Sequence, residues 1–229
     1  MTNKVTVIIP ACNEEQNIEN VIKYVQKSEI PNEIIVVDNC SEDRTAEIAL
    51  SLGVKVIHCN IKGKGYAMEM GLKYSKTPVV AFIDADIKVY DQDIISKLVM
   101  PILNDNIDFV KSSFERIEGG KVTEIAIKPL LDIIFPDIHK FLEPLSGMVA
   151  GKRKLFKRIS LEKDYGVDIG ILLDMIKIGA KIEEVNIGKL ENMSHNGKTL
   201  ERMRQMSLEV MKAILKRGKY VEVEIKECG

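Results

Sequence analysis

The chain has 229 residues, with 33 lysines and arginines against 34 aspartates and glutamates, and this near-neutral balance gives no reason to expect nucleic acid or an acidic membrane surface as a partner. That length suits one large domain, or one domain with an appendage, and is enough to bury a substantial core. No apolar run reaches the roughly 20 residues of a bilayer span, and the start, MTNKVTVIIPACNEE, turns polar after Pro10, unlike a signal peptide.

In chain order, VTVIIP reads as a strand, and the helix after it carries Ile18, Val21, Ile22 and Val25 on one face. EIIVVD is a second strand, followed by a helix over 43–52, the short strand KVIH, a helix after Gly63 and the strand VVAFID. Alternating strand and helix predicts a parallel sheet with helices on both faces, and near-continuous apolar strands agree, because such strands are covered on both sides. Beyond Asp86 the pattern predicts a helix over 91–103, the strand DFVKSSFER, a helix through VTEIAIKPLLDII and a loop, EPLSGMVAGKR. A helix through GVDIGILLDMIKIG, the strand KIEEVNIGKL and a terminal helix with Met203, Met206, Val210 and Ile214 inward close the fold. Cys12, Cys40, Cys59 and Cys228 show neither C-x-x-C spacing nor a disulfide framework, so a reducing, cytoplasmic setting is expected.

In open α/β sheets ligands bind beyond the carboxyl ends of the strands. Those ends carry Pro10, Ala11, Asn13, Glu14 and Glu15, then Asp38, Asn39 and Ser41, then Asp84 and Asp86. Two carboxylates one residue apart at the end of a buried strand are costly unless a cation or a proton offsets their repulsion. In KGKGYAMEMG, Gly63 and Gly65 flank Lys64 just before a helix, a pattern suited to close backbone approach and to a phosphate. It is neither a Walker loop nor a dinucleotide fingerprint, which favours a nucleotide diphosphate held by metal and lysine over NAD or a P-loop nucleotide.

These segments, PACNEE, VVDNCSEDRT, GKGYAM and FIDADI, resemble the nucleotide-sugar half of a GT-A glycosyltransferase. The later GGKVTE, KPLL, EPLSGMVAGKR, YGVDIGILLD and the NIG before His195 are similar, in order, to the glucosyl-3-phosphoglycerate synthase family. The resemblance implies a single GT-A, Rossmann-like α/β domain whose mostly parallel sheet is covered on both faces. Its nucleotide-sugar half would span 1–90 and its acceptor half 91–229. By the same resemblance Ala11 and Glu15 line a uridine pocket, with Asn39 and Ser41 in the same nucleotide shell, while Pro10, Asn13 and Asp38, on the same rim, are candidate substrate-binding residues. Lys64 faces the uracil or diphosphate, Asp84 lies beside the ribose or sugar, and Asp86 with His195 holds a divalent cation, Mg²⁺ or Mn²⁺.

The acceptor loop matches Gly119, Gly120, Lys121, Val122, Thr123 and Glu124, with Ser146, Gly147, Asp168 and Asn196 completing the substrate site. Lys121 stands where the family usually has Arg, and Asp168 where it usually has Glu. The resemblance further implies a retaining transfer of a hexose, glucose first, from a UDP-sugar to a small phosphorylated acid such as 3-phosphoglycerate. Asp86, Lys64 and Asp168 would act in catalysis, Asp168 orienting sugar or acceptor hydroxyls, and the assembly would be a homodimer. The rival readings are a polyprenyl-phosphate hexose transferase, a sugar-phosphate nucleotidyltransferase and a non-catalytic sugar-nucleotide binding module.

Overall fold

The computed structural model describes residues 5–30, 32–87, 93–116, 123–190 and 200–218. Its strands are β1 (Val5–Ala11), β2 (Asn32–Asp38), β3 (Lys55–His58), β4 (Val79–Phe82), β5 (Phe109–Arg116), β6 (Val149–Lys152) and β7 (Ile182–Leu190). The helices are α1 (Ile18–Gln26), α2 (Thr45–Ser51), α3 (Lys64–Tyr74), α4 (Ile94–Asn104), α5 (Lys128–Ile134), α6 (Arg153–Phe156), α7 (Val167–Lys177) and α8 (Leu200–Arg217). All seven strands join one sheet in the order β3-β2-β1-β4-β6-β5-β7. Every neighbouring pair is parallel except the two that involve β6.

The apolar strands follow from burial on both faces. In β1, Val7 and Ile9 pack with α1, α2 and α4, whereas Ile8 between them packs with α3, α5, α6, α7 and α8. The side-chain alternation of an extended chain therefore feeds two cores from one run of Val and Ile. Ile18, Val21, Ile22 and Val25 are the buried face of α1, as their spacing predicts.

Three details differ from the pattern reading. The stretch read as a loop at 143–153 contains β6, a four-residue strand held on both sides by antiparallel partners; so short a run, ending in glycine and lysine, carries little strand signal of its own. The helix expected through 122–134 is a π-helical turn, Thr123–Ile127, followed by α5. Pro129, in the first turn of α5, supplies no amide to continue the helical ladder across that junction. Met203 is exposed rather than inward and Met206 is half-buried, because the face of α8 that reaches the core begins at Val210 and continues with Ala213 and Ile214. The far end of α8 is clasped to α7 by Arg217, which pairs through two nitrogens with Asp174 and through a third with Glu162.

Candidate active site

The parallel register sets Ala11, Asp38 and His58 in one row at the carboxyl ends of β1, β2 and β3. The loops beyond the first two strands are stitched to each other. Asn13 adopts a left-handed conformation, φ 59°, which asparagine tolerates. Its amide donates to Ser41 Oγ at 3.0 Å, and its Oδ1 accepts from the Glu42 amide at 2.7 Å. Glu14 donates to Thr45 Oγ1 at 2.8 Å, Glu15 donates to Asp43 Oδ2 at 3.0 Å, and Glu15 Oε2 accepts from the Arg44 amide at 3.2 Å. Pro10, Ala11, Asn13 and Glu15 thus share one ledge with Asp38, Asn39 and Ser41.

Asn39 supports that ledge through the protein itself. Its Nδ2 donates to the Ile61 carbonyl at 2.7 Å, and its Oδ1 accepts from the Gly63 amide at 2.8 Å, tying the loop before α3 to β2. Asp38 Oδ2 lies 3.0 Å from His58 Nδ1, while the buried Asp38 Oδ1 has no hydrogen-bond partner among the described residues.

Lys64 lies between two carboxylates, with Nζ 2.9 Å from Asp84 Oδ1 and 2.8 Å from Asp168 Oδ2. Burial alone would push its ammonium down, but Asp168 and Asp84 outweigh that and hold it above the ordinary lysine value. Asp168 is pushed up from the ordinary carboxylate range by burial, with Lys64 opposing the shift. Its other oxygen, Oδ1, is buried without a partner among the described residues. Residues 104 positions apart in sequence meet in this contact, so the first turn of α7 is brought to the end of β4 through Lys64.

The flanking glycines serve a different purpose from the one their pattern suggests. A Cβ on Gly65 would stand 1.7 Å from the Glu162 carbonyl oxygen, and one on Gly63, at φ 143°, would stand 2.5 Å from the Lys163 carbonyl oxygen. The first amides of α3 are also occupied, since Gly65 and Tyr66 donate to the Lys163 carbonyl at 2.9 Å and 3.3 Å. Here the close backbone approach is to the 162–164 segment that leads into α7, and Lys64 is fixed by carboxylates rather than left as a mobile head.

Ser146 and Gly147 complete this cluster. A Cβ on Gly147 would lie 2.3 Å from Lys64 Nζ and 2.6 Å from Asp84 Oδ1, so only glycine lets this segment rest on the ion pair. Gly147→Ala should therefore spread Lys64 from Asp84 and lower turnover by about 10²-fold, the scale of a 1 Å misplacement at a reacting centre. Steady-state kinetics alongside a thermal melt close to the parent's would check this, whereas unchanged turnover would remove Gly147 from the site.

Sequence patterning passed over Lys111 and Glu184. Lys111 is fully buried on β5, and Glu184, its neighbour across β7, accepts from the Leu142 and Glu143 amides. The visible signal was a lysine next to the apolar Phe109 and Val110 in a strand pattern. Thr123 is buried at the start of the π-helical turn, whereas Gly119, Gly120, Lys121, Val122, His195 and Asn196 lie outside the described residues.

Asp86 is half-buried just beyond β4. Among the described residues no group of three or more His, Cys, Asp or Glu side chains could by itself hold a metal ion, and Asp84 already has Lys64 as its counter-charge. One hard carboxylate with a diphosphate to supply further oxygens is nonetheless a donor set that suits Mg²⁺ or Mn²⁺, which are commonly held through one or two carboxylates and substrate phosphates. The residues present fit such an ion.

The family comparison says what this sheet and its rim cluster belong to: the chain is a member of glycosyl transferase family 2, whose model matches residues 6–164. It is a glycosyltransferase of GT-A fold, similar in particular to the glucosyl-3-phosphoglycerate synthases. It is 30% identical to that synthase from Mycolicibacterium smegmatis, over 93% of this chain and 77% of the relative. To the Petrotoga mobilis synthase it is 29% identical, over 97% of this chain and 76% of the relative. The crystal structure of the Mycobacterium tuberculosis synthase in complex with Mn²⁺, UDP-glucose and phosphoglyceric acid superposes with a TM-score of 0.86 at 31% identity, covering 94% of this chain and 79% of that one.

Proposed function

We propose that the chain transfers glucose from UDP-glucose to a small phosphorylated acid, 3-phosphoglycerate first, with retention of anomeric configuration and with Mg²⁺ or Mn²⁺ on the donor diphosphate. The observation that carries this reading is the Lys64 bridge between Asp84 and Asp168, with a buried Asp168 oxygen still lacking a donor among the described residues. An unsatisfied buried acceptor is costly, and a sugar hydroxyl is a donor that would satisfy it. Asp38 Oδ1 offers the same kind of acceptor on the nucleotide ledge.

In this reading the ledge of residues 10–15 and 38–41 seats the uridine, Asp84 the ribose or sugar, and Asp168 orients sugar or acceptor hydroxyls. Asp86 and His195 would hold the cation, which when bound supplies charge neutralisation on the departing diphosphate. Lys64 adds fixed positive charge beside the same position. The bond between the anomeric carbon and the β-phosphate oxygen breaks with its electron pair passing to UDP. The acceptor oxygen bonds that carbon on the same face, and its proton passes to the departing phosphate. Gly120, Lys121, Val122, Thr123, Ser146, Gly147 and Asn196 would line the acceptor side. A homodimer in a reducing cytoplasm is the matching assembly and setting.

The test is transfer from UDP-glucose, with Mg²⁺ or Mn²⁺, to 3-phosphoglycerate, glycerate and polyprenyl phosphate in parallel. Glucosylated phosphoglycerate and UDP are the expected products. Preference for the lipid phosphate would replace this reading by the polyprenyl-phosphate one, although no helix among the described residues is long and apolar enough to cross a membrane. Pyrophosphate release would instead indicate nucleotidyl transfer. Lysine meets phosphate as a point charge where arginine forms a planar fork. Lys121→Ala should therefore raise the acceptor KM well above its effect on the donor KM, and equal effects on both would remove Lys121 from the acceptor pocket.

A further inference from the structure

We propose that Lys111 is a positioning residue of the transfer, holding the Ser146–Gly147 segment against the Lys64–Asp84 pair and supplying the second cation beside Asp84 and Asp168. This rests on the reading of the Lys64 cluster as the sugar-transfer site. The Lys111 side chain has no exposure, and its Nζ donates to the Ser146 carbonyl at 2.5 Å. The next residue, Ser112, grips the same segment, with Oγ 2.6 Å from Ser146 Oγ and donating to the Met148 carbonyl at 2.8 Å. From β7, Glu184 accepts from the amides of Leu142 and Glu143 at 3.0 Å and 3.3 Å. Two adjacent strands thus hold residues 142–148 at both ends, and the segment delivers Gly147 to within a methyl group's reach of Lys64 and Asp84.

A lysine this deeply buried is unfavourable without opposing charge. The charged groups facing it are Asp168 on α7, Lys64 on α3, Glu184 on β7 and Asp84 beyond β4. Lys64 and Lys111 thus stand against Asp84, Asp168 and Glu184, and Lys64 alone would face three carboxylates. Burial pulls the Lys111 ammonium down to about 8, with Asp168 opposing that shift. The cluster therefore loses its second cation as pH rises past that point.

Lys111→Met keeps an unbranched side chain one atom shorter and removes the charge, and Lys111→Arg keeps the charge well above pH 8. In the parent, kcat for UDP-glucose should fall as pH rises past about 8. Lys111→Met should lower kcat at pH 7 by about 10²-fold, the scale of a misplaced reacting group, with the UDP-glucose KM little changed and no fall at pH 8. Lys111→Arg should stay active to pH 9. Hydrogen exchange in peptides covering 142–148 should quicken in Lys111→Met.

Parental kcat with the parental alkaline fall in Lys111→Met overturns the proposal. Should Lys111→Met fail to fold, Lys111→Arg decides: loss of the alkaline fall supports the proposal, and its persistence overturns it. A parent enzyme that transfers no sugar defeats the functional reading instead. Exchange across 142–148 then decides whether Lys111 holds that segment, with unchanged rates overturning the hold.

Discussion

Replacing Lys64 by methionine should lower sugar transfer by at least about 10²-fold, the scale on which one preorganised charge contact to a transition state is worth measuring, while leaving the protein folded. Its ammonium lies within 3 Å of both Asp84 and Asp168, so the variant leaves two carboxylates facing each other without the cation between them. Asp168, already pushed up by burial, loses the charge that most opposes that shift and should take up a proton over a higher pH range. If the ionised carboxylate is the one that orients hydroxyls, the residual activity of Lys64→Met should rise with pH where the parent is already flat. The parent shows no limb from Lys64 itself, because its two partners keep that lysine protonated throughout the working range. A pH–rate profile from 5 to 8, with UDP binding measured by calorimetry to show that the ledge still forms, checks both parts. Unchanged kcat in Lys64→Met would make the cluster structural only.

The nucleotide half was legible because local and global signals coincide there. β1, β2 and β4 are central parallel strands, so their apolar runs are uninterrupted and the first polar residue after each marks the rim. That rule alone places Asn13, Asp38 and Asp84. Two features resisted for physical reasons. β6 is a strand by virtue of its partners, its four residues being paired on both sides by β4 and β5, and a pattern read along one chain cannot see partners. The glycines around Lys64 carry the same letters whether a phosphate or the 162–164 backbone approaches them, and the distances decide for the backbone. Likewise Lys111 reads as an ordinary strand lysine until the Ser146 carbonyl and the two acids of the cluster are seen around it. Asp168 is the instructive exception. Only its family resemblance, not its helix pattern, singled it out, and its pairing with Lys64 gives that choice a geometry.

Asp86→Ala should abolish metal-dependent donor turnover, a loss of about 10²-fold or more, with little change in thermal stability. The reason is its place: Asp86 stands beyond the last paired residue of β4 and is only half-buried, so truncation opens no cavity of the kind that destabilises a core. Asp84 cannot simply take over, because Lys64 already holds it, and recruiting it for a cation would bring two positive charges onto one carboxylate. The variant should therefore need far more Mg²⁺ or Mn²⁺ to recover any activity, and UDP should bind it with a weaker response to added metal. His195→Ala should move the metal titration in the same direction. Measuring UDP affinity with and without the ion separates the cases without relying on turnover. If Asp86→Ala binds UDP with the parental metal dependence and keeps full activity, Asp86 has no part in holding an ion, and Lys64 would be the cation left to meet the donor's charge.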